Sequence, residues 1–483
     1  MPNPLPIPDE LWAKVPQDAQ AAIAAVFLAV QQRGDEWEAR VRDLEARLKL
    51  NSTNSSKPPS TDPIGLKRKP PSPPSGRKRG GQPGHRKAER ALVPPEEVAE
   101  VVTCKPEACR RCRQPLAGDD PEPWIHRVAE LPPIEPRVVA YRLHRLACPR
   151  CRESTCGALP AGVPRGAFGP RSQAVLAVLA GAYRLSKGQI QQLVADLFGL
   201  SISTGMVSKP EHASAEALEA PSNELAVSVH GADAVHIDET SWPQDRKKVW
   251  LWATVTAAAT AFTIARDRSG AVAKALSGSK EDQVVTSDRS SAYGWIDAAW
   301  RQVCWAHLRR DSQAMIDRGG EGAAIGGELL AHSHELFHAW HRVRDETIAR
   351  GTFRRSMRDL RWRVKETLRR GSRCPCARTS ATCGEVLKVE EGLWTFARVA
   401  GLEPTNNAAE RALRHAVIWR RISGGTDSER GSRFVERMLT VVATCRQRGR
   451  DVLAYLTSCF EAQLGGKGIP SLLPADAAEI RVA

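Results

Sequence analysis

The sequence predicts a multidomain α+β protein, in which helical, basic and cysteine-rich segments precede a mixed α/β layer domain interrupted by a helical insertion. Three observations predict it. First, 483 residues suffice for about three domains, and a hydrophobic content of 42% marks a globular chain. Second, apolar spacing is helical over residues 20–50 and 170–218 and gives way to short β-type runs from residue 232. Third, two of those runs end in carboxylates, HIDET (236–240) and TSD (286–288), and the end of a strand is where an α/β domain exposes side chains to a ligand.

Residues 1–50 are expected to form a helical coiled coil. Ile23, Phe27, Val30, Gly34, Trp37, Val41, Leu44 and Leu48 step by alternating fours and threes, a heptad seam with one glycine defect. A dimer through this seam and an amphipathic helix packed on its own chain are both compatible with it. Residues 51–95 read as a basic disordered arm. NSTNSSKPPSTD (51–62) is polar, and residues 64–90 hold nine Lys or Arg, Lys78 and Arg79 among them, against the single acid Glu89. Such an arm either tracks DNA phosphates or serves as a solvated linker. Residues 96–165 read as a zinc-binding segment. Cys109-x-x-Cys112 and Cys148-x-x-Cys151 supply four thiolates for one tetrahedral Zn²⁺, with alternating residues such as Val138 to Leu146 suited to strands between them.

Residues 166–230 should be a helical DNA-binding region. Two helices flank a break at Gly199, as in a helix-turn-helix or an ordinary helical hairpin. From 231 to 310 the pattern is three strands, a helix, a strand ending at Asp288, a helix and a strand. Residues 311–400 form a helical insertion rich in arginine (Arg354, Arg355, Arg358, Arg361, Arg363, Arg369 and Arg370), which either grips DNA or presents a solvated face. Residues 401–465 return to the α/β unit with a helix bearing Glu410, and 466–483 form a C-terminal tail.

The net charge of +15, from 70 Lys and Arg against 55 Asp and Glu, attracts polyanions, of which nucleic acid is the commonest. An arginine-favouring codon usage gives the same excess. Residues 1–20 carry Pro and Asp where a secretory leader needs a basic end and an apolar stretch. No run approaches the roughly 18 apolar residues of a membrane span. The expected location is therefore cytoplasmic and nucleoid-associated, with the 12 cysteines reduced or on metal.

Asp238, Asp288 and Glu410, in PTNNAAERALR (404–414), form a hard-oxygen set suited to two Mg²⁺ or Mn²⁺ ions and to phosphodiester chemistry. An Asp closing a strand also serves as a turn or helix cap. Glu239 neighbours Asp238, and the pleat lets only one of the two face a shared site. Arg414 lies one turn beyond Glu410, in reach of a phosphate. Arg411, Asn406 and Asn407 are further candidates for DNA contact, and the two asparagines also suit the turn before the helix. Cys304 and His307 suit a packed thiol and a hydrogen-bonding imidazole better than a metal. Cys374, Cys376 and Cys383 form a looser cluster that lacks an obvious fourth ligand.

A resemblance narrows these alternatives. NSTNSSKPPS (51–60), RGGQPGHR (79–86), the two cysteine knuckles, HIDET, SDRSSAY (287–293), CWAHLRR (304–310) and PTNNAAERALR occur in one order, with SGGTDSERGS (423–432) and TCRQRG (444–449) after them. This series resembles the insertion-sequence-66 transposases. The resemblance implies a ribonuclease-H-like catalytic domain with Asp238, Asp288 and Glu410 as its metal-binding triad. It implies DNA partners, namely the element's terminal inverted repeats and the target, which are joined through freed 3′-hydroxyls. Small accessory proteins are implied as well, while the expected homo-oligomer rests on the heptad seam. The competing expectations are a metal-dependent structure-specific nuclease and a catalytically silent DNA-binding relic.

Overall fold

A computed structural model describes residues 7–48, 50–55, 93–278, 280 and 282–473. Residues 56–92 of the basic arm, Lys78 and Arg79 among them, and the end of the tail lie outside them. The chain divides into a larger unit, 1–64 with 135–483, and a smaller one, 65–134. Among the described residues no helix is long and apolar enough to cross a membrane.

In the larger unit, a short α1 (Asp9–Trp12) precedes α2 (Gln17–Leu48), the long helix that the heptads predict. Its seam residues Ile23, Val30, Trp37, Val41, Leu44 and Leu48 are exposed. The expected strand over Val138 to Leu146 shrinks to β1 (Arg145–Ala147), paired antiparallel with β2 (Ser154–Cys156). Val138, Val139, Tyr141 and Leu143 are exposed, so alternation there has no apolar layer to pack on.

Four helices follow: α3 (Pro170–Gly181), α4 (Lys187–Phe198), α5 (Thr204–Ala217) and α6 (Glu219–His230). Ser186 closes a capping box on α4, Gly199 ends that helix in the left-handed conformation, and Ser203 caps α5. Ile190, Val194, Val207 and Leu225 of these helices, and Leu218 between α5 and α6, share one apolar core with the sheet and the C-terminal helices.

The sheet has five strands, β3 (Ala234–Gln244), β4 (Lys247–Val255), β5 (Thr260–Ala265), β6 (Val284–Ser287) and β7 (Arg301–Val303), in the order β5-β4-β3-β6-β7. β3, β4 and β5 are antiparallel neighbours, whereas β6 and β7 run parallel to β3. Helix α7 (Gly270–Ser277) makes the crossover between β5 and β6. The helix expected between β6 and β7 is replaced by two 3-10 turns, 291–293 and 298–300. Ser290 and Asp297 accept backbone N–H groups there, and such local bonds compete with a continuous helix.

The insertion comprises α8 (Trp305–Arg318), α9 (Gly320–Arg344), α10 (Arg350–Gly371), α11 (Ala377–Lys388) and α12 (Thr395–Arg398) around a second apolar core. Its ends are pinned together: Trp305 N–H donates to Pro404 O at 3.0 Å. Several of its arginines serve the fold. Arg361 pairs with buried Glu390, Arg363 with Glu335 and Arg370 with Glu328, while Arg354 donates to Arg398 O. The chain then returns through α13 (Asn407–Ser423), α14 (Glu429–Gln447) and α15 (Val452–Leu464). Between α13 and α14, Gly425 (φ 112°) brings its backbone against Pro243, where a Cβ would lie 2.2 Å from the carbonyl oxygen. The SGGTD stretch thereby docks on the β3–β4 hairpin, with Thr426 O accepting Asp245 N–H at 2.8 Å.

Candidate active site

Asp238 sits in β3, the central strand, and Asp288 follows the end of the neighbouring parallel strand β6. Glu410 stands in the first turn of α13, the helix packed on β3 and β4. These three residues come from segments 50 and 122 residues apart in sequence, yet they face one another electrostatically. Burial raises the Asp238 carboxyl well above its ordinary pKa, and Glu239, Asp288 and Glu410 raise it further by repulsion. The Asp288 side chain accepts Ser290 N–H at 2.8 Å, and the Asp288 carbonyl accepts from the buried Arg301 guanidinium at 2.9 Å.

Glu239 is held apart from this role. Its side chain is 1% exposed and receives both the Arg268 guanidinium and the Tyr293 hydroxyl. Burial still raises its pKa, opposed chiefly by the Tyr293 hydrogen bond. The pleat lets only one of the two face a shared site and the family resemblance prefers Asp238, but neither reveals Arg268 or Tyr293. Tyr293 does lie in the SDRSSAY stretch already singled out.

Among the described residues, potential ligand atoms of Cys304, His307 and Glu410 lie within 4.8 Å of one another; Asp238 and Asp288 stand outside this group. His307 Nδ1 lies 3.7 Å from one Glu410 oxygen, and Arg310 donates to the other at 3.2 Å. Cys304 is buried, its thiol pushed up to about 11 by desolvation, and its sulfur accepts Asn406 N–H at 3.1 Å. That setting is the packed thiol that the sequence suggested. Burial, then Arg310, lowers the His307 pKa. Arg310 was not anticipated. Its signal is helical spacing, because residues 307 and 310 of α8 share a face.

Asn406 has two expected roles, and its burial favours the turn before the helix over the DNA contact. It is 0% exposed, and its amide donates to Ile237 O at 2.8 Å, tying the start of α13 to β3 beside Asp238. It thus positions the helix and is not available to DNA. Asn407 is half-buried, and Arg411 and Arg414 are exposed.

Each cysteine knuckle forms its own turn, Cys109 and Cys112 in the smaller unit, Cys148 and Cys151 in the larger. The turns are built alike. Cys109 N–H donates to Gln114 O at 2.9 Å and Cys148 N–H to Glu153 O at 2.8 Å, with Arg113 and Arg152 at φ 65° and 59°. Backbone N–H groups of Cys112 and Arg111 lower the Cys109 thiol pKa, and those of Cys151 and Arg150 lower that of Cys148. N–H groups aimed at a sulfur favour the thiolate, the form that binds metal. Cys383 is buried, and its thiol is pushed up to about 11.

Two families match the sequence. The one described as "Transposase IS66 family" matches residues 165–434, more than half of the chain and all three carboxylates. A "Family of unknown function (DUF6444)" matches residues 6–91. The chain is also similar to "Uncharacterized protein y4hP" of Sinorhizobium fredii, with 42% identity over 71 residues, which are 15% of this chain and 13% of that protein's length.

Proposed function

Because the chain belongs to the IS66 transposase family, we propose that it binds the ends of an insertion sequence, cleaves them and joins the freed 3′-hydroxyls to target DNA, with Asp238, Asp288 and Glu410 as the catalytic carboxylates. The observation that carries this reading is the convergence of carboxylates from three separate segments on buried Asp238. Three further carboxylates raise its pKa, and a buried Glu410 oxygen has no hydrogen-bond donor. Such a set fits hard divalent cations, and Asp238, Asp288 and Glu410 would hold two Mg²⁺ or Mn²⁺ ions. When bound, these ions supply activation of the attacking oxygen and stabilisation of the leaving one.

The chain's own residues orient the carboxylates. Arg310 fixes one Glu410 oxygen, and Asn406 and Cys304 fix the start of its helix. Arg268 and Tyr293 keep Glu239 from competing with Asp238. A five-stranded mixed sheet with Asp238 on its central strand supports a ribonuclease-H-like catalytic domain. Cys109, Cys112, Cys148 and Cys151 would together hold one structural Zn²⁺, supported by the matching turns. The basic arm with Lys78 and Arg79, and exposed Arg411 and Arg414, would contact DNA.

Cleavage of a labelled duplex carrying the element's ends, with Mg²⁺ and then with EDTA, tests the reading. Metal-dependent nicking at the element boundary is expected for the wild type and at least about a hundredfold less for Asp288→Asn. Nicking that persists in EDTA or in the variant would overturn the assignment. Binding without nicking, even with accessory proteins added, would leave a DNA-binding relic.

A further inference from the structure

Helix α13 has a second working face. Glu410 looks toward the carboxylates, but the next residue, Arg411, lines a cavity of about 1060 Å³ together with His415 one turn further on. Arg184, after α3, and Arg446, near the end of α14, line it too. None of these three arginines has a carboxylate partner among the described residues, in contrast to Arg361, Arg363 and Arg370 of the insertion. Arg184 adopts φ 61°, its Nη1 lies 3.1 Å from His415 Nδ1, and its buried Nε has no hydrogen-bond partner. The acids on the wall are Asp233, which Lys280 already holds, and Glu403.

Guanidinium groups that outnumber the free acids of the cavity they share repel one another, and an anion relieves that repulsion. Arg184, Arg446 and Arg414 also bear on His415, lowering its pKa after burial does, which leaves the imidazole neutral between them. Arginine is the side chain best matched to phosphate. Much of the remaining wall is apolar, with Phe262, Leu439 and Val442 buried in it, although Ser228, His236, Thr256, Thr260 and Gln447 also line it. A charged mouth over an apolar floor fits a molecule with a phosphate at one end and a flat ring at the other. The volume is that of an ordinary small-ligand pocket, about 300–1000 Å³.

We propose that this cavity binds a nucleotide, its phosphate on Arg184, Arg411 and Arg446 and its base against Phe262, Leu439 and Val442. The nucleotide is either free or carried by a DNA strand; the second form rests on the transposase reading, the first does not.

The test uses the full chain in Mg²⁺-free buffer at moderate salt. Probes are dAMP, deoxyadenosine and a fluorescent single-stranded oligonucleotide. Variants are Arg184→Ala with Arg446→Ala, and Ala443→Trp, which keeps every charge and fills the cavity from α14. dAMP or the oligonucleotide should bind the wild type, and deoxyadenosine should bind at least about tenfold more weakly than dAMP if dAMP binds. The double variant should lose about tenfold or more per arginine, and Ala443→Trp should lose binding with its thermal melt unchanged. Binding of dAMP identifies free nucleotide as a source, whereas binding of the oligonucleotide alone identifies the strand. Unchanged binding by both folded variants, or no binding of either probe by the wild type, overturns the proposal. Metal-dependent nicking is scored in parallel. Its absence in the wild type removes the transposase reading, whereas intact nicking with unchanged probe binding removes only the cavity.

Discussion

A single buried carboxylate shows how the residue scale works. Glu436 on α14 accepts the backbone N–H of Ile264, and burial raises its pKa from 4.5 to about 7. Between those two values the folded chain holds a proton that the unfolded chain has released. Stability therefore falls as pH rises through that window and levels off above it. Glu436→Gln keeps an acceptor for Ile264 and removes the charge, so its thermal melts at pH 5 and pH 8 should differ less than those of the wild type. The difference is about 3 kcal/mol at most, and parallel pH profiles would refute it. At this scale the sequence is legible where local geometry decides. Asp288 follows from a strand end, whereas Asp238, expected at one, lies inside β3, which runs on to Gln244, and is preferred to Glu239 by the family resemblance. Illegible were the groups that neutralise Glu239, since Arg268 and Tyr293 lie 29 and 54 residues away from it in sequence. Nor does composition show that Asn406 is buried, because an amide before a helix reads equally well as a cap, a turn or a contact.

Among the elements, α14 does something no periodicity announces. Glu436, Thr440 and Thr444 recur every fourth residue, and their side chains accept the N–H groups of Ile264, Phe262 and Thr260, every second residue of the edge strand β5. One helical turn of four residues advances about 6 Å, and two strand residues advance about 6.6 Å, so the rows stay in step. Gln447 then donates to Thr256 O at 2.7 Å and Ala257 O at 2.9 Å, closing the β4–β5 turn. An edge strand that would otherwise invite another chain is thus covered. Thr440→Val with Thr444→Val leaves two buried donors unmet and should cost about 1–3 kcal/mol for each in urea unfolding. A loss under about 0.5 kcal/mol in total would show that the row is incidental. From the sequence, a polar stripe on a helix reads as its solvent face. The insertion arginines mislead in the same way: Arg361, Arg363 and Arg370 look free for DNA until their acidic partners on other segments come into view.

At the scale of the whole molecule, α2 leaves an apolar seam exposed over Ile23, Trp37, Val41 and Leu48, and a seam of that length favours a second copy. Native mass spectrometry reads this and the proposed zinc together. The full chain should be a dimer with one zinc per subunit, the chain lacking residues 1–50 a monomer that keeps its zinc, and Cys109→Ser a dimer without it. A monomeric full chain refutes the seam, and zinc retained by Cys109→Ser refutes the ligand set. The insertion carries a different lesson. It departs after Cys304 and returns at Pro404, and the two ends are stitched by Trp305 N–H to Pro404 O and by Asn406 N–H to the Cys304 sulfur. A loop closed at its base pays little extra entropy for added length, about 0.6 kcal/mol per doubling. The doorway must hold its width, because His307 and Glu410 stand on its two jambs, but the room behind it can be enlarged. The exposed turn at residues 344–347 is where a passenger domain could be seated, giving the protein a new address on DNA while the door frame stays as it is.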